Sequence, residues 1–353
     1  MRANALRDWF EGQGNEVLIS HPLETTFQPY AFGSNFYNFI QKKLPAFHNI
    51  YFYFLEFANL HRNPTFIFGA KKWLLEISDF APDIVFSVHA HLNHGYYLLL
   101  KQQLGSSFKF MTYCGEMSDS SGFSRHWVNP NIDSFLGPFK ETCEAAIKRG
   151  MPDSKVHEVG PLLRKAFYKK QNQSDRKKIL EKLSISPDLP LYLLGTGANG
   201  ANQHIPVLNV LNNEDSKFQV VALCGNNNKV FNEINNLKGL LNFKVFPLPT
   251  IDDVEMVSLL ESAEFLFARP GAGTTTEAVV CGTPMLFDIS GGIMPQERNN
   301  LNFWSGRSKN LIKLSSPKRL PVYLGHRIPK INVEIDEAPV KLFNHLEAAV
   351  CKS

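Results

Sequence analysis

Short apolar runs recur along the chain, each followed by a stretch of helical patterning, and no other feature constrains the fold as much. The runs are Val17–Ser20, Ile84–Val88, Phe108–Tyr113, Leu191–Leu194, Val220–Leu223, Phe265–Ala268 and Met285–Phe287. Strands at this spacing with helices between them predict β-α-β units and therefore parallel sheets. Nearly every run ends in or beside Gly, Ser, Thr, Asn or His, which is the residue chemistry of a ligand-binding C-terminal sheet edge. At 353 residues the chain is too long for one ordinary core. We therefore expect an α/β protein of two doubly wound domains. The break is expected in the polar, basic stretch Tyr168–Pro190. Residues 1–168 then form the first domain and residues 169–338 the second, with a helix over about 339–353 packing back on the first.

Composition narrows the class. Hydrophobic residues make up 44% and charged residues 20%, as in a globular protein. The net charge of +4 gives weak support to an anionic partner, a nucleotide or a membrane surface, without choosing between them, and no nucleic-acid partner is expected. Cys114, Cys143, Cys224, Cys281 and Cys351 are scattered, odd in number and form no C-x-x-C. They read as reduced thiols, with neither a disulfide framework nor a metal site. No signal peptide is visible, and no run approaches the ~20 apolar residues that span a bilayer. A cytoplasmic location follows as an expectation. Phe27–Phe68 is dense in aromatics, with Lys42, Lys43, His61 and Arg62 interleaved. Two readings fit it: packing of the first domain or an acceptor pocket, and peripheral contact with an anionic membrane surface.

Chemistry concentrates between Phe265 and Phe303. A buried run leads into Arg269-Pro270-Gly271-Ala272-Gly273, with a helix predicted to open at Thr274. Such a turn leaves backbone N–H groups free at a helix N-terminus, which suits a diphosphate, and Arg269 adds charge. Glu277, one turn on, can accept both hydroxyls of a ribose. The alternative is a capping box, Thr274-x-x-Glu277, in which Glu277 only caps its own helix. Pro295-Gln296-Glu297-Arg298 follows one strand later, and Gln296 and Glu297 offer the donors and acceptors that sugar hydroxyls need. Gly195-Thr196-Gly197 ends an earlier strand and is by itself a weak phosphate-loop signal.

Arg-Pro-Gly-Ala-Gly-Thr-Thr-Thr-Glu-Ala from Arg269, Cys281-Gly-Thr-Pro284 and Pro295-Gln-Glu-Arg-Asn-Asn-Leu-Asn-Phe303 together resemble the donor site of a glycosyltransferase family. It contains monogalactosyldiacylglycerol synthases, processive diacylglycerol glucosyltransferases and the peptidoglycan GlcNAc transferase. Pro82–His89, Trp127–Asp133, Leu191–Gly200 and Val220–Lys229 extend the resemblance over most of the chain. It implies two Rossmann-like domains facing a cleft (GT-B) and inverting transfer of a hexose from a UDP-sugar. By that likeness Glu277 binds ribose, Gln296 and Glu297 the sugar, and Gly197 and Gly273 the phosphates; Gly195, Arg269, Gly271 and Thr274 complete the donor site. Met1–Asp8 resembles the helix that follows a strand and a G-G-G-H loop. The resemblance thus implies that the first strand and Gly-rich loop of the N-terminal domain are missing. Cys114–His126 replaces the shorter acidic segment usual in the diacylglycerol enzymes, and Phe246–Thr250 is not the family's usual Gly-Phe turn.

Displacing UDP requires a base for the acceptor hydroxyl and fixed positive potential for the leaving diphosphate. Candidate bases are Glu116, Asp119 and His126. His89 is a weaker one, and with His91 and His94 it lacks the carboxylate that a metal site at this spacing would need. No D-x-D is present, so metal-independent transfer is expected, with the UDP-sugar as donor substrate, no cofactor, and a lipid or other hydroxyl acceptor. A UDP-sugar epimerase or hydrolase on the same scaffold, and a non-catalytic UDP-sugar-binding subunit, remain open.

Overall fold

The computed structural model describes residues 2–26, 62–119, 122–195, 203–290, 292–308, 310–333 and 339–350. Most of the aromatic segment Phe27–Phe68 therefore lies outside the described residues, as do Gly197 and Cys351. In chain order the elements are α1 (Arg2–Glu11), α2 (Pro22–Thr26), α3 (Ala70–Phe80), β1 (Ile84–Ser87), α4 (Gly95–Leu104), β2 (Lys109–Tyr113), β3 (Ser134–Gly137), α5 (Lys140–Lys148), β4 (Val156–Glu158) and α6 (Gln173–Lys182). They continue with β5 (Leu191–Leu194), α7 (His204–Leu211), β6 (Gln219–Gly225), α8 (Asn228–Leu237), β7 (Lys244–Pro249), α9 (Asp253–Ser262), β8 (Phe265–Ala268), α10 (Ala272–Val280), β9 (Met285–Asp288), α11 (Pro295–Arg307), β10 (Ile312–Leu314) and α12 (Val340–Val350). The chain divides into two compact units. Unit 1 comprises Met1–Arg164, Met294–Asn299 and Asp336–Ser353; unit 2 comprises Lys165–Ile293 and Asn300–Ile335.

Unit 1 is built on a parallel sheet in the order β1-β2-β3-β4. Its two faces carry separate apolar clusters. Trp73, Ile77, Tyr96 and Leu100 of α3 and α4 cover one. Ala5 and Leu6 of α1, with Leu342 and Leu346 of α12, cover the other. A sheet covered on both faces selects strands that are apolar throughout, and Ile84-Val85-Phe86 is such a strand. The predicted strand Val17–Ser20 forms no strand pairing in the structure.

Unit 2 carries a second parallel sheet in the order β10-β9-β8-β5-β6-β7. Every residue of β5, β8 and β9 is buried. Two α/β units with all-parallel sheets are the architecture that the strand rhythm implied. α6, in the polar, basic stretch where the break is expected, belongs to unit 2. Arg176 pairs there with Glu261 at 3.4 Å and Lys182 with Glu255 at 2.8 Å. Lys177 and Lys178 pair within the helix, with Glu181 and Asp175, which neutralises much of the basic face. No helix among the described residues is long and apolar enough to cross a membrane. Burial raises the thiols of Cys143 and Cys281 to about 12 and of Cys224 to about 11, so these cysteines stay protonated and unreactive.

Candidate donor site and its relatives

In unit 2 the strand order reverses at β5, whose neighbours are β6 on one side and β8 on the other. Ligands of open α/β sheets bind at the carboxyl ends of strands flanking such a point. The two glycine-rich segments follow β5 and β8, the pair that meets there. Gly195 packs closely: a Cβ at this position would lie 2.8 Å from Cβ of Ala268 and 3.2 Å from Cδ1 of Leu266. Its N–H donates to Phe267 O at 2.9 Å. The observed work of Gly195 is thus close approach of the loop to β8.

After β8, Gly271 is the N-cap residue of α10, with extended backbone (φ −72°, ψ 138°) and no side chain to cap the helix. A Cβ there would meet nothing within 4 Å, so open space lies over the turn. The helix opens at Ala272, earlier than the predicted Thr274, which puts Gly273 and Thr274 inside the first turn. Thr274 is therefore not an N-cap, and the capping-box alternative for Glu277 is set aside. Glu277 is buried in mid-helix, 6% exposed. Arg269 donates from Nη2 to Gly292 O at 2.7 Å, which holds the guanidinium beside the turn. A helix start with no side-chain cap, a guanidinium and a buried carboxylate one turn in are parts that suit an anionic nucleotide.

The cap that does form is on α11. Glu297 accepts from the Met294 N–H at 3.0 Å, tying down the helix start. Gln296 and Glu297 fall in the stretch Met294–Asn299, which belongs to unit 1. In that unit a Cβ on Gly122 would come within 2.7 Å of the Gln296 N, so the loop after β2 is pressed onto this helix start. Ser118 and Asn299 exchange hydrogen bonds, Oγ to Oδ1 and Nδ2 to carbonyl, both at 2.7 Å. Oε1 of Gln296 is buried without a hydrogen-bond partner among the described residues, leaving an acceptor open for a ligand hydroxyl.

The candidate bases all follow β2. His126 is fully buried, with its ring 5.3 Å from that of His91 and 6.2 Å from that of His94. Asp119 is held by Arg149 at 2.6 Å and Lys148 at 3.0 Å. Burial raises its pKa, but the hydrogen bonds and charges of those two cations outweigh this and lower it overall. Glu116 is partly exposed, and its carbonyl accepts from Thr142 Oγ1 at 2.7 Å. Burial and then the charge of Arg2 push His89 down to about 4, so its imidazole is neutral at physiological pH. Among the described residues no group of His, Cys, Asp or Glu is arranged to hold a metal ion.

The motif reading passed over three buried polar residues. Asn93 accepts from Ser87 Oγ at 2.6 Å and Thr112 Oγ1 at 2.9 Å, binding together the ends of β1 and β2. In unit 2 Asp288 accepts from the N–H and Oγ of Ser290, and Asn300 donates to Pro270 O at 2.9 Å. The last fixes the turn after β8. Lone Asn and Asp residues carry no spacing signal; each became visible only through a tertiary partner.

Comparison with known proteins gives the relatives of the chain. Residues 2–163 match the family described as monogalactosyldiacylglycerol (MGDG) synthase. The match covers a little under half of the chain. A processive diacylglycerol β-glucosyltransferase of Bacillus licheniformis is 27% identical over 188 residues, 53% of this chain and 47% of that protein. The chloroplastic monogalactosyldiacylglycerol synthase 3 of Arabidopsis thaliana is 24% identical over 66% of this chain and 50% of its own length. The chain thus spans about half the length of these curated relatives. The UDP-GlcNAc 2-epimerase of Methanocaldococcus jannaschii, solved with UDP-GlcNAc and UDP, shares the fold at 14% identity, with TM-score 0.53 over 78% of this chain and 79% of that one. The resemblance to the diacylglycerol glycosyltransferases, read from the motifs, stands.

Proposed function

We propose that this protein is an inverting hexosyltransferase that moves a hexose from a UDP-sugar to a lipid or other membrane-proximal hydroxyl. The observation that carries the reading is the start of α10: an uncapped helix N-terminus at the switch point of the sheet, Arg269 beside it and buried Glu277 one turn in. The diphosphate takes the N–H groups around Gly271 and Gly273 with Arg269, and the ribose diol takes Glu277. Gln296 and Glu297 serve the sugar, with Thr274, Gly195 and Gly197 shaping the turns. Glu116 is the proposed base, because Asp119 is bound by two cations and His126 is fully enclosed. The acceptor oxygen attacks the anomeric carbon as its proton passes to Glu116. The bond to the UDP oxygen breaks, and its electron pair is stabilised by the helix N-terminus and Arg269. The transfer needs no metal or cofactor in this scheme. The protein works at the cytoplasmic face of a membrane, in peripheral contact with anionic lipid.

Calorimetry with UDP and UDP-hexoses tests the donor site. The wild-type chain binds, and Glu277→Gln, with unchanged thermal stability, binds about a hundredfold or more weaker, because a carboxylate–diol pair of hydrogen bonds is lost. A folded wild type that binds no uridine nucleotide would sink the assignment. Turnover of the UDP-sugar without acceptor would favour an epimerase or hydrolase instead.

A further inference from the structure

α12 closes the described part of the chain with a helix of 11 residues. A helix this short is marginal in water and takes its stability from the surface it packs on. Its sequence supplies one apolar stripe: Leu342 and Leu346, spaced i to i+4, are 1% and 4% exposed. They join Met111, Tyr113 and Leu136 of the sheet in one apolar cluster. Phe343, beside them, meets the rings of Trp9 at 5.9 Å and Phe10 at 5.7 Å, both edge-on. α12 is thus docked on α1 and on one face of the sheet of unit 1, as a local element that can open before the whole unit does.

A polar contact borders that stripe. His345 Nε2 lies 2.9 Å from Ser134 Oγ at the start of β3, and Ser134 is 6% exposed. The His345 ring also meets the ring of His157, the middle residue of β4, with centroids 4.1 Å apart and planes at 39°. His157 stands opposite Leu136 in the register of β3 and β4, so the sheet fixes its place. One histidine on the helix and one on the last strand of the sheet thus join the two. Neutral imidazoles stack at this distance without electrostatic cost. Two imidazolium rings repel, and near a protein surface the repulsion is about four times that in bulk water.

The charges around the pair do not offset this repulsion. β3 and the segment 159–163 carry no titratable side chain. Glu158 follows His157 on β4, where alternation turns it to the other face, and it is exposed. On α1, Arg7 and Asp8 pair with each other at 3.5 Å, Arg2 donates to Gly115 O and Glu11 is exposed. Lys155, just ahead of β4, donates to the carbonyls of Pro130 and Ile132. Lys341 and Glu347 of α12 itself are exposed. Burial, and after it the charge of His157, lowers His345 from 6.5 to about 4, and burial lowers His157 as well. The released helix therefore binds protons that the docked helix excludes. Docking is at full strength above about pH 6.5 and weakens as pH falls towards about 4. We propose that the His157–His345 pair is an acid-sensitive latch: it holds α12 on unit 1 while the rings are neutral, and its protonation releases the helix. The latch does not depend on the donor-site assignment, since every residue in it lies in unit 1.

The test is hydrogen exchange on the full chain at about pH 7.5 and about pH 5, corrected for the intrinsic rates. α4, which covers the other face of the sheet, is the internal reference. Between the two conditions the protection of α12 should fall at least about tenfold relative to α4, since uptake of one proton shifts an opening equilibrium by up to about tenfold per pH unit. His157→Phe keeps a ring in the stack without a charge, and His345→Gln keeps a hydrogen bond to Ser134. In the double variant the protection of α12 should change less than about twofold. No fall in the wild type, a fall shared equally by α4, or an undiminished fall in the double variant would each overturn the proposal. If the substitutions themselves loosen α12 at about pH 7.5, NMR titration of the wild-type His345 ring decides. Its protonation should coincide with the loss of α12 protection. Protonation near pH 6.5 with α12 still protected would show that the pair is no latch.

Discussion

The two sheets are made alike and finished differently. In unit 2 the strands at the reversal point are flanked on both sides and wholly buried, and the candidate donor turns follow them. In unit 1 the strand of comparable sequence, Ile84-Val85-Phe86-Ser87, stands at the edge and is half-buried except at Ser87. Among the described residues β1 is thus the less buried strand of the two, although its side chains are apolar on both faces. The difference teaches where rigidity resides: the candidate donor turns follow two fully buried strands, whereas the half-buried edge strand belongs to the unit that carries the candidate bases.

Matched truncations should show this contrast most strongly. Phe265 is fully buried and stacks on Tyr192 at 4.5 Å. Phe265→Ala should therefore destabilise unit 2 by about 3–5 kcal/mol. Phe86 is half-buried, so Phe86→Ala removes fewer contacts and should cost about 1 kcal/mol. Urea unfolding followed by hydrogen exchange in each unit separates the two. Equal costs would mean that the edge of unit 1 is closed in solution, which would break the comparison.

The same contrast marks how far the sequence could be read. Leu191–Leu194 and Phe265–Ala268 coincide with β5 and β8 because fully buried strands are uninterrupted apolar runs. Val156–Glu158 and Ile312–Leu314 are short and partly polar, and their pairing comes from the neighbouring strand. Lys244–Pro249 contains two prolines that argue against a strand, yet β7 is the last in its sheet, where a missing N–H can face outward. Val17–Ser20 has strand chemistry but pairs with no strand among the described residues. The Arg269–Gly273 turn was legible from its glycines, and the helix start, two residues earlier than expected, removes the capping-box alternative for Glu277. The ion pairs of Asp119 and the enclosure of His126 could not be read at all, since both depend on residues distant in sequence or on burial.

A smaller effect separates the units by acid. His204 is 3% exposed, and its Nε2 donates to Leu223 O at 2.9 Å. Burial lowers its pKa from 6.5 to about 4, and the hydrogen bond opposes this only in part. The unfolded chain therefore binds the extra proton first. Unit 2 should keep its full stability above pH 6.5 and lose about 3 kcal/mol as pH falls to about 4. His204→Asn should flatten that decline, at the cost of some stability near pH 7. A slope unaltered by the substitution would place the titrating group elsewhere.

The smallest expected effect bears on the two acids the motif reading paired. Glu277 lies beyond the first turn of its helix, whereas Glu297 accepts the Met294 N–H at the start of α11. Loss of such a cap costs about 1 kcal/mol, so Glu297→Ala should lower stability by that amount. Glu297→Gln keeps an acceptor and should recover most of it. If Glu297 also serves the sugar, both variants should weaken binding of UDP-hexose more than binding of UDP, because UDP lacks the hexose. Calorimetry with the two ligands reads this directly. Equal losses for UDP and UDP-hexose would restrict Glu297 to shaping the helix start, and leave the open Oε1 of Gln296 as the sugar acceptor in this stretch.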